Sequence, residues 1–117
     1  MRLGLDVDGV FADFNRGFMH LLVQTSGRDL FGPSPDIRMW QYPTRQFGYT
    51  EAEESAAWEA VKASDTFWRL LPAYEDTRDN LTRLRTFSSA FRVDVYFVTS
   101  RLGVVCKYQT ERWLTQC

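Results

Sequence analysis

A chain of 117 residues, 44% hydrophobic and 25% charged, suffices for one ordinary domain with a core, at the small end of the range. Fourteen Lys and Arg against fifteen Asp and Glu give a formal charge of −1, so no basic excess points to nucleic acid or to a membrane surface. Arg2, Asp6 and Asp8 interrupt the only apolar stretch near the start, which argues against a signal peptide, and nothing approaches the length of a spanning helix. Cys106 and Cys117 stand outside any metal-ligand spacing and are expected as free thiols in a reducing cytoplasm.

Leu3, Leu5 and Val7 alternate with Gly4, Asp6 and Asp8, the pattern of a short strand that ends in a loop at Gly9. Val10, Phe11, Phe14, Phe18, Leu21 and Leu22 recur at helical spacing and predict a helix to about Gln24. Residues 26 to 49 are rich in Gly, Pro, Asp and Ser and predict turns with room for one short helix. Thr50 followed by Glu53 is a capping-box pattern, opening a helix over Glu51 to Lys62. Asp65 is the expected cap of a short apolar segment, Phe67 to Leu71, which Pro72 closes. Tyr74, Thr77, Leu81, Leu84 and Phe87 form the next amphipathic stripe. Val93, Val95, Phe97 and Val98 give a second strand ending at Thr99-Ser100-Arg101, and a last helix is expected from Val104 to Leu114.

Two strands that end in polar residues, each followed by a helix, predict an open parallel α/β sheet with its ligand site beyond the strand ends. A plain crossover needs only about a dozen residues. The separation of Asp6 from Thr99 is far longer, so residues 25–75 are read as a helical cap inserted into a core of residues 1–24 and 76–117.

The densest chemical signal is Leu5-Asp6-Val7-Asp8-Gly9-Val10-Phe11-Ala12-Asp13-Phe14. Side chains two apart on a strand share a face, so Asp6 and Asp8 are expected to point at one ligand. Gly9 allows the backbone to turn sharply beside a bound group. Close carboxylates repel, so such a pair serves a cation, a shared proton or both; the same residues also suit a solvated turn. Thr99 and Ser100 suit a phosphate site and equally a cap for the last helix.

Asp6-Val7-Asp8-Gly9-Val10 resembles the first motif of the haloacid dehalogenase superfamily of phosphatases, and Val95 to Arg101 resembles its second, a hydrophobic strand ending in Thr or Ser. With Ala12-Asp13-Phe14 and Phe67 to Pro72, the chain is most similar to the 5′(3′)-deoxyribonucleotidase group. The resemblance implies a partial Rossmann-like core and a Mg²⁺-dependent 5′-nucleotidase, a phosphomonoester hydrolase acting on nucleoside monophosphates. Asp6 would attack phosphorus to form an aspartyl-phosphate, and Asp8 would protonate the leaving alkoxide, then take a proton from water. Mg²⁺ would bind an Asp6 carboxylate oxygen and the main-chain carbonyl of Asp8, keeping several waters. Thr99 would donate to the phosphate, with Gly9 and Ser100 beside it. Substrate choice would sit in the cap, where Phe18, Trp40, Tyr42, Trp58, Phe67 and Trp68 supply aromatic area. Phe18 and Trp40 are the expected pocket residues, and His20 is expected to be structural.

The resemblance stops short at its far end. The superfamily's phosphate-neutralising Lys and its acidic pair, which complete the metal site, map onto no residue here. Arg101 and Lys107 stand in the wrong place for that Lys, although either is in reach of a phosphate, and Glu111 suits a solvated helix face. The expectation is a shortened core, completed by a longer chain, by a second chain or by a homo-oligomer. The alternative is a weak or inactive module that binds phosphate, nucleotide or a partner chain.

Overall fold

The computed structural model describes residues 1–33, 35 and 43–117. Its order is β1 (Arg2–Asp6), α1 (Phe14–Ser26), α2 (Pro43–Phe47), α3 (Glu51–Ala63), α4 (Thr77–Phe91), β2 (Asp94–Val98) and α5 (Cys106–Gln116). Among the described residues the sheet has two strands, and they run parallel, with Arg2 opposite Asp94 and Asp6 opposite Val98. The two strands therefore end level with each other. Whatever follows Asp6 and Val98 meets at one end of the sheet.

Alternation along each strand decides which face packs. Leu3, Leu5, Val95 and Phe97 are half-buried, whereas Gly4, Asp6, Tyr96 and Val98 are exposed. One sheet face is thus covered and the other is open. The core is built mainly by residues outside the strands: Val7, Phe11, Phe18, Leu22, Tyr49, Ala57, Val61, Trp68, Leu71, Leu81 and Trp113 form one buried cluster. That cluster draws on residues 1–24, 25–75 and 76–117 alike, so residues 25–75 share the hydrophobic core.

Local signals explain the element ends. Asp13 caps α1, its Oδ1 accepting from the Arg16 N–H at 3.1 Å, and Gly27 closes α1 in the left-handed region at φ 71°. The Thr50/Glu53 capping box forms as expected, with Thr50 Oγ1 accepting from Glu53 N at 3.1 Å and Glu53 Oε1 accepting from Thr50 N at 3.0 Å. Segment 67–70 departs from expectation. It is a turn rather than a helix, and its cap is Ser64, whose Oγ accepts from Phe67 N at 2.9 Å, rather than Asp65. Ser64 is also the C-cap of α3, its main-chain N–H donating to Val61 O at 3.2 Å, so one residue serves both the helix exit and the turn. Gly103 is required by a close approach: a Cβ there would sit 2.7 Å from the Lys62 carbonyl oxygen.

Candidate active site

Val7 is fully buried and organises the loop after β1. Its carbonyl accepts from Phe11 N at 2.9 Å and Ala12 N at 3.0 Å, while Gly9 N donates to Ala12 O at 2.9 Å. Gly9 sits at φ 80°, the conformation for which glycine is suited, so the expected sharp turn is there. The loop is clamped from behind: Asp13 N donates to Pro72 O, Tyr74 N to Phe11 O, and Thr77 Oγ1 to Phe11 O at 2.7 Å.

Beyond the strand ends lies a cleft of about 550 Å³ lined by Asp6, Asp8, Phe14, Trp58, Trp68, Val98, Thr99 and Ser100. The structure thus brings together Asp6, Asp8, Thr99 and Ser100. Asp6 is exposed, and among the described residues its carboxylate has no hydrogen-bond or ion-pair partner. Asp8 is different. Its Oδ2 accepts from Thr99 Oγ1 at 2.9 Å, and Arg101 bridges both oxygens, NH2 to Oδ1 at 2.8 Å and Nε to Oδ2 at 3.2 Å. Strand alternation carries as far as Asp6; the loop then redirects Asp8 toward Arg101. The half-buried Tyr74 phenol nearby is pushed above its ordinary pKa by desolvation, then by the charges of Asp13 and Asp8.

Thr99 and Ser100 do not cap the last helix, which begins at Cys106 with Val105 at its N-cap and no side-chain cap bond. Lys107 is not among the cleft's lining residues; its side chain is exposed and its Nζ lies 3.9 Å from Glu111 Oε1. Phe18 was expected at the pocket, yet it is 3% exposed and packs in the core, its ring 4.8 Å from that of Trp58. The aromatic wall is instead Phe14, Trp58 and Trp68, with Phe14 centred 5.7 Å from each Trp ring. Helical spacing explains the swap, since Phe18 lies one turn beyond Phe14 and further from the strand ends. Trp40 and Tyr42 lie outside the described residues. His20 is exposed and within 3.3 Å of Gln24 Nε2, away from the cleft.

Gln109, Trp68 and Thr110 hold the site together, and of these the sequence pointed only to Trp68, for its aromatic area. Gln109 is fully buried and spends its whole amide: Oε1 accepts from Trp68 N and Arg69 N at 2.9 and 3.3 Å, and Nε2 donates to Ser64 O and Val104 O at 3.0 and 3.1 Å. Trp68 Nε1 donates to Leu102 O, fixing that ring. Thr110 receives the third arm of Arg101. A Gln inside a polar helix stretch carries no sequence signal for burial.

Among the described residues no three His, Cys, Asp or Glu side chains cluster as a metal site. What the strand ends offer a divalent cation is the unpartnered Asp6 carboxylate and the Asp8 carbonyl, which accepts no main-chain hydrogen bond among the described residues. That set fits a Mg²⁺ ion that stays largely hydrated. No protein-family model matches the chain, and no curated protein matches its sequence. Among the described residues no helix is long and apolar enough to cross a membrane, and Cys106 and Cys117 are both free.

Proposed function

We propose that this chain is a Mg²⁺-dependent phosphomonoester hydrolase of the haloacid dehalogenase type, acting on nucleoside monophosphates in a reducing cytoplasm. The observation that carries the reading is the contrast at the strand ends. Asp6 is an uncommitted carboxylate in a cleft with two hydroxyl side chains, beside an Asp8 that is held by hydrogen bonds. In this reading an Asp6 oxygen attacks phosphorus and the bond to the leaving oxygen breaks, giving an aspartyl-phosphate. Asp8 supplies the leaving alkoxide with a proton. It then accepts one from the water that attacks the aspartyl-phosphate, releasing phosphate and restoring Asp6. Ser100 is a donor for phosphate oxygens, joined by the Thr99 hydroxyl when Asp8 is protonated and no longer accepts from it, and Phe14, Trp58 and Trp68 offer ring faces to a base. Mg²⁺ held by Asp6 and the Asp8 carbonyl would offset the repulsion between carboxylate and phosphate.

The sparse donor set favours a second reading, a module of the same lineage that binds phosphate or nucleotide without turning it over. A panel of nucleoside monophosphates assayed with Mg²⁺ and with EDTA separates the two. Mg²⁺-dependent phosphate release is expected, with Asp6→Asn lowering it by on the order of a thousandfold or more. Retention of more than about a tenth of the rate would remove Asp6 as nucleophile. Saturable nucleotide binding with no release would leave the second reading.

A further inference from the structure

Arg101 was expected as an arm toward phosphate, and its surroundings assign it elsewhere. Its side chain is 1% exposed, while that of Asp8 is 24% exposed. Besides its two bonds to Asp8, NH1 donates to Thr110 Oγ1 at 3.0 Å, and the guanidinium lies 4.9 Å from the centroid of the Trp68 ring. Thr110 Oγ1 in turn donates to Cys106 O at 2.8 Å. A planar guanidinium with a permanent proton and fixed donor directions is the group that sets the plane of a carboxylate. Closed in by Trp68 and Thr110, it does not line the cleft itself, and among the described residues its charged link to the cleft is Asp8.

We propose that Arg101 is a positioning residue, which fixes the plane of the Asp8 carboxylate for proton transfer and leaves Asp6 as the free carboxylate. The role rests on the phosphohydrolase reading above. Thr99 makes the arrangement workable. Its hydroxyl donates to Oδ2 when Asp8 is ionised and can rotate toward the phosphate when Oδ2 carries the proton, which leaves that proton free for the leaving oxygen while Arg101 stays on Oδ1. A loose Asp8 would lose that orientation and would impair the steps that need its proton.

The test uses the whole chain and the variants Arg101→Gln, Asp8→Asn and their combination. Single-turnover phosphorylation by a nucleoside monophosphate, whose leaving alkoxide needs a proton, is expected to slow on the order of a hundredfold in Arg101→Gln. With p-nitrophenyl phosphate, whose leaving group needs none, the loss should be several-fold at most, about 5-fold or less. In the Asp8→Asn background, Arg101→Gln should cost little more, because it acts through Asp8. Urea unfolding of the same four proteins should show coupling of about tenfold or more in the folding equilibrium between the two sites. Equal losses on both substrates, or additive losses in the double variant, would overturn the role, as would absent coupling in the unfolding cycle. A wild-type chain that turns over neither substrate would overturn the phosphohydrolase reading itself and this role with it, a result seen before any variant is made.

Discussion

The two sides of this small sheet are held by different physics. On the cleft side, α1, α3 and the turn at 64–71 pack aromatic rings against the loop after β1, and Gln109, Arg101 and Thr110 lock the backbone and Asp8 in place. On the open face, which meets the cleft at Asp6 and Val98, Tyr96 and Val98 are 51% and 59% exposed, and no strand residue of that face is buried. Parallel sheets ordinarily have both faces covered, and two strands alone are marginal. Helices and buried polar groups, more than the strands, therefore fix the geometry of the cleft, and the sheet contributes chiefly the level ending of Asp6 and Val98.

The largest effect should come from breaking the locked side. Gln109→Leu keeps most of the volume but leaves two main-chain N–H groups and two carbonyls without the partners that Gln109 supplies. Each orphaned buried group costs about 1–3 kcal/mol, and with partial relaxation the total is expected at about 3–5 kcal/mol. That is a large share of the ordinary stability of a domain, about 5–15 kcal/mol. Urea unfolding measures it, and Gln109→Glu at neutral pH should cost at least as much, because a buried carboxylate oxygen would face the Ser64 and Val104 carbonyls. A loss under about 1 kcal/mol would mean that the turn at 64–69 is held by something other than Gln109.

What the sequence made legible follows from how local each signal is. The β1 strand, the Gly9 turn, the Thr50/Glu53 box and the β2 strand all rest on neighbours within a few positions, and each stands where the pattern placed it. The joining of Asp6, Asp8, Thr99 and Ser100 at one end was readable because parallel strands put their carboxyl ends together. Arg101 on Asp8 was not readable, since a pair 93 positions apart in sequence leaves no local trace. Phe14 and Phe18 sit one turn apart with the same chemistry, and only the placement of α1 against α3 and the strand ends tells wall from core. Asp65 and Ser64 are both good caps one residue apart, and the exit of α3 decided between them.

The open face should answer oppositely to the locked side. Tyr96→Thr and Val98→Thr retain strand-forming residues while removing exposed apolar area, so each should change stability by no more than about 0.5 kcal/mol. Self-association, if the chain shows any at high concentration, should fall, because exposed apolar strand surface favours pairing between copies. Urea unfolding and sedimentation at several concentrations check both statements. A cost above about 2 kcal/mol that grows with protein concentration would show that this face is covered in solution by a second copy.

The smallest effect belongs to a surface ion pair away from the cleft lining, Arg28 with Glu53. Arg28 holds Glu53 with a two-pronged bond, Nε to Oε2 at 2.9 Å and NH2 to Oε1, while Glu53 also completes the cap of α3. The Arg28 hydrogen bond, then the Thr50 N–H, lowers the Glu53 carboxyl from its ordinary 4.5 to about 2. A depressed carboxyl binds its proton more readily in the unfolded chain. Its contribution is therefore present above pH 4.5 and is lost as the pH falls toward about 2. Glu53→Gln preserves the capping acceptor and removes the charge. The variant should be slightly less stable than the parent at pH 6, and the gap should close on acidification through that window. Because Arg28 is exposed and Glu53 partly so, added salt should shrink the gap at pH 6 as well. A gap that stayed constant from pH 6 to pH 2 would place the effect in packing around the cap instead of in the charge.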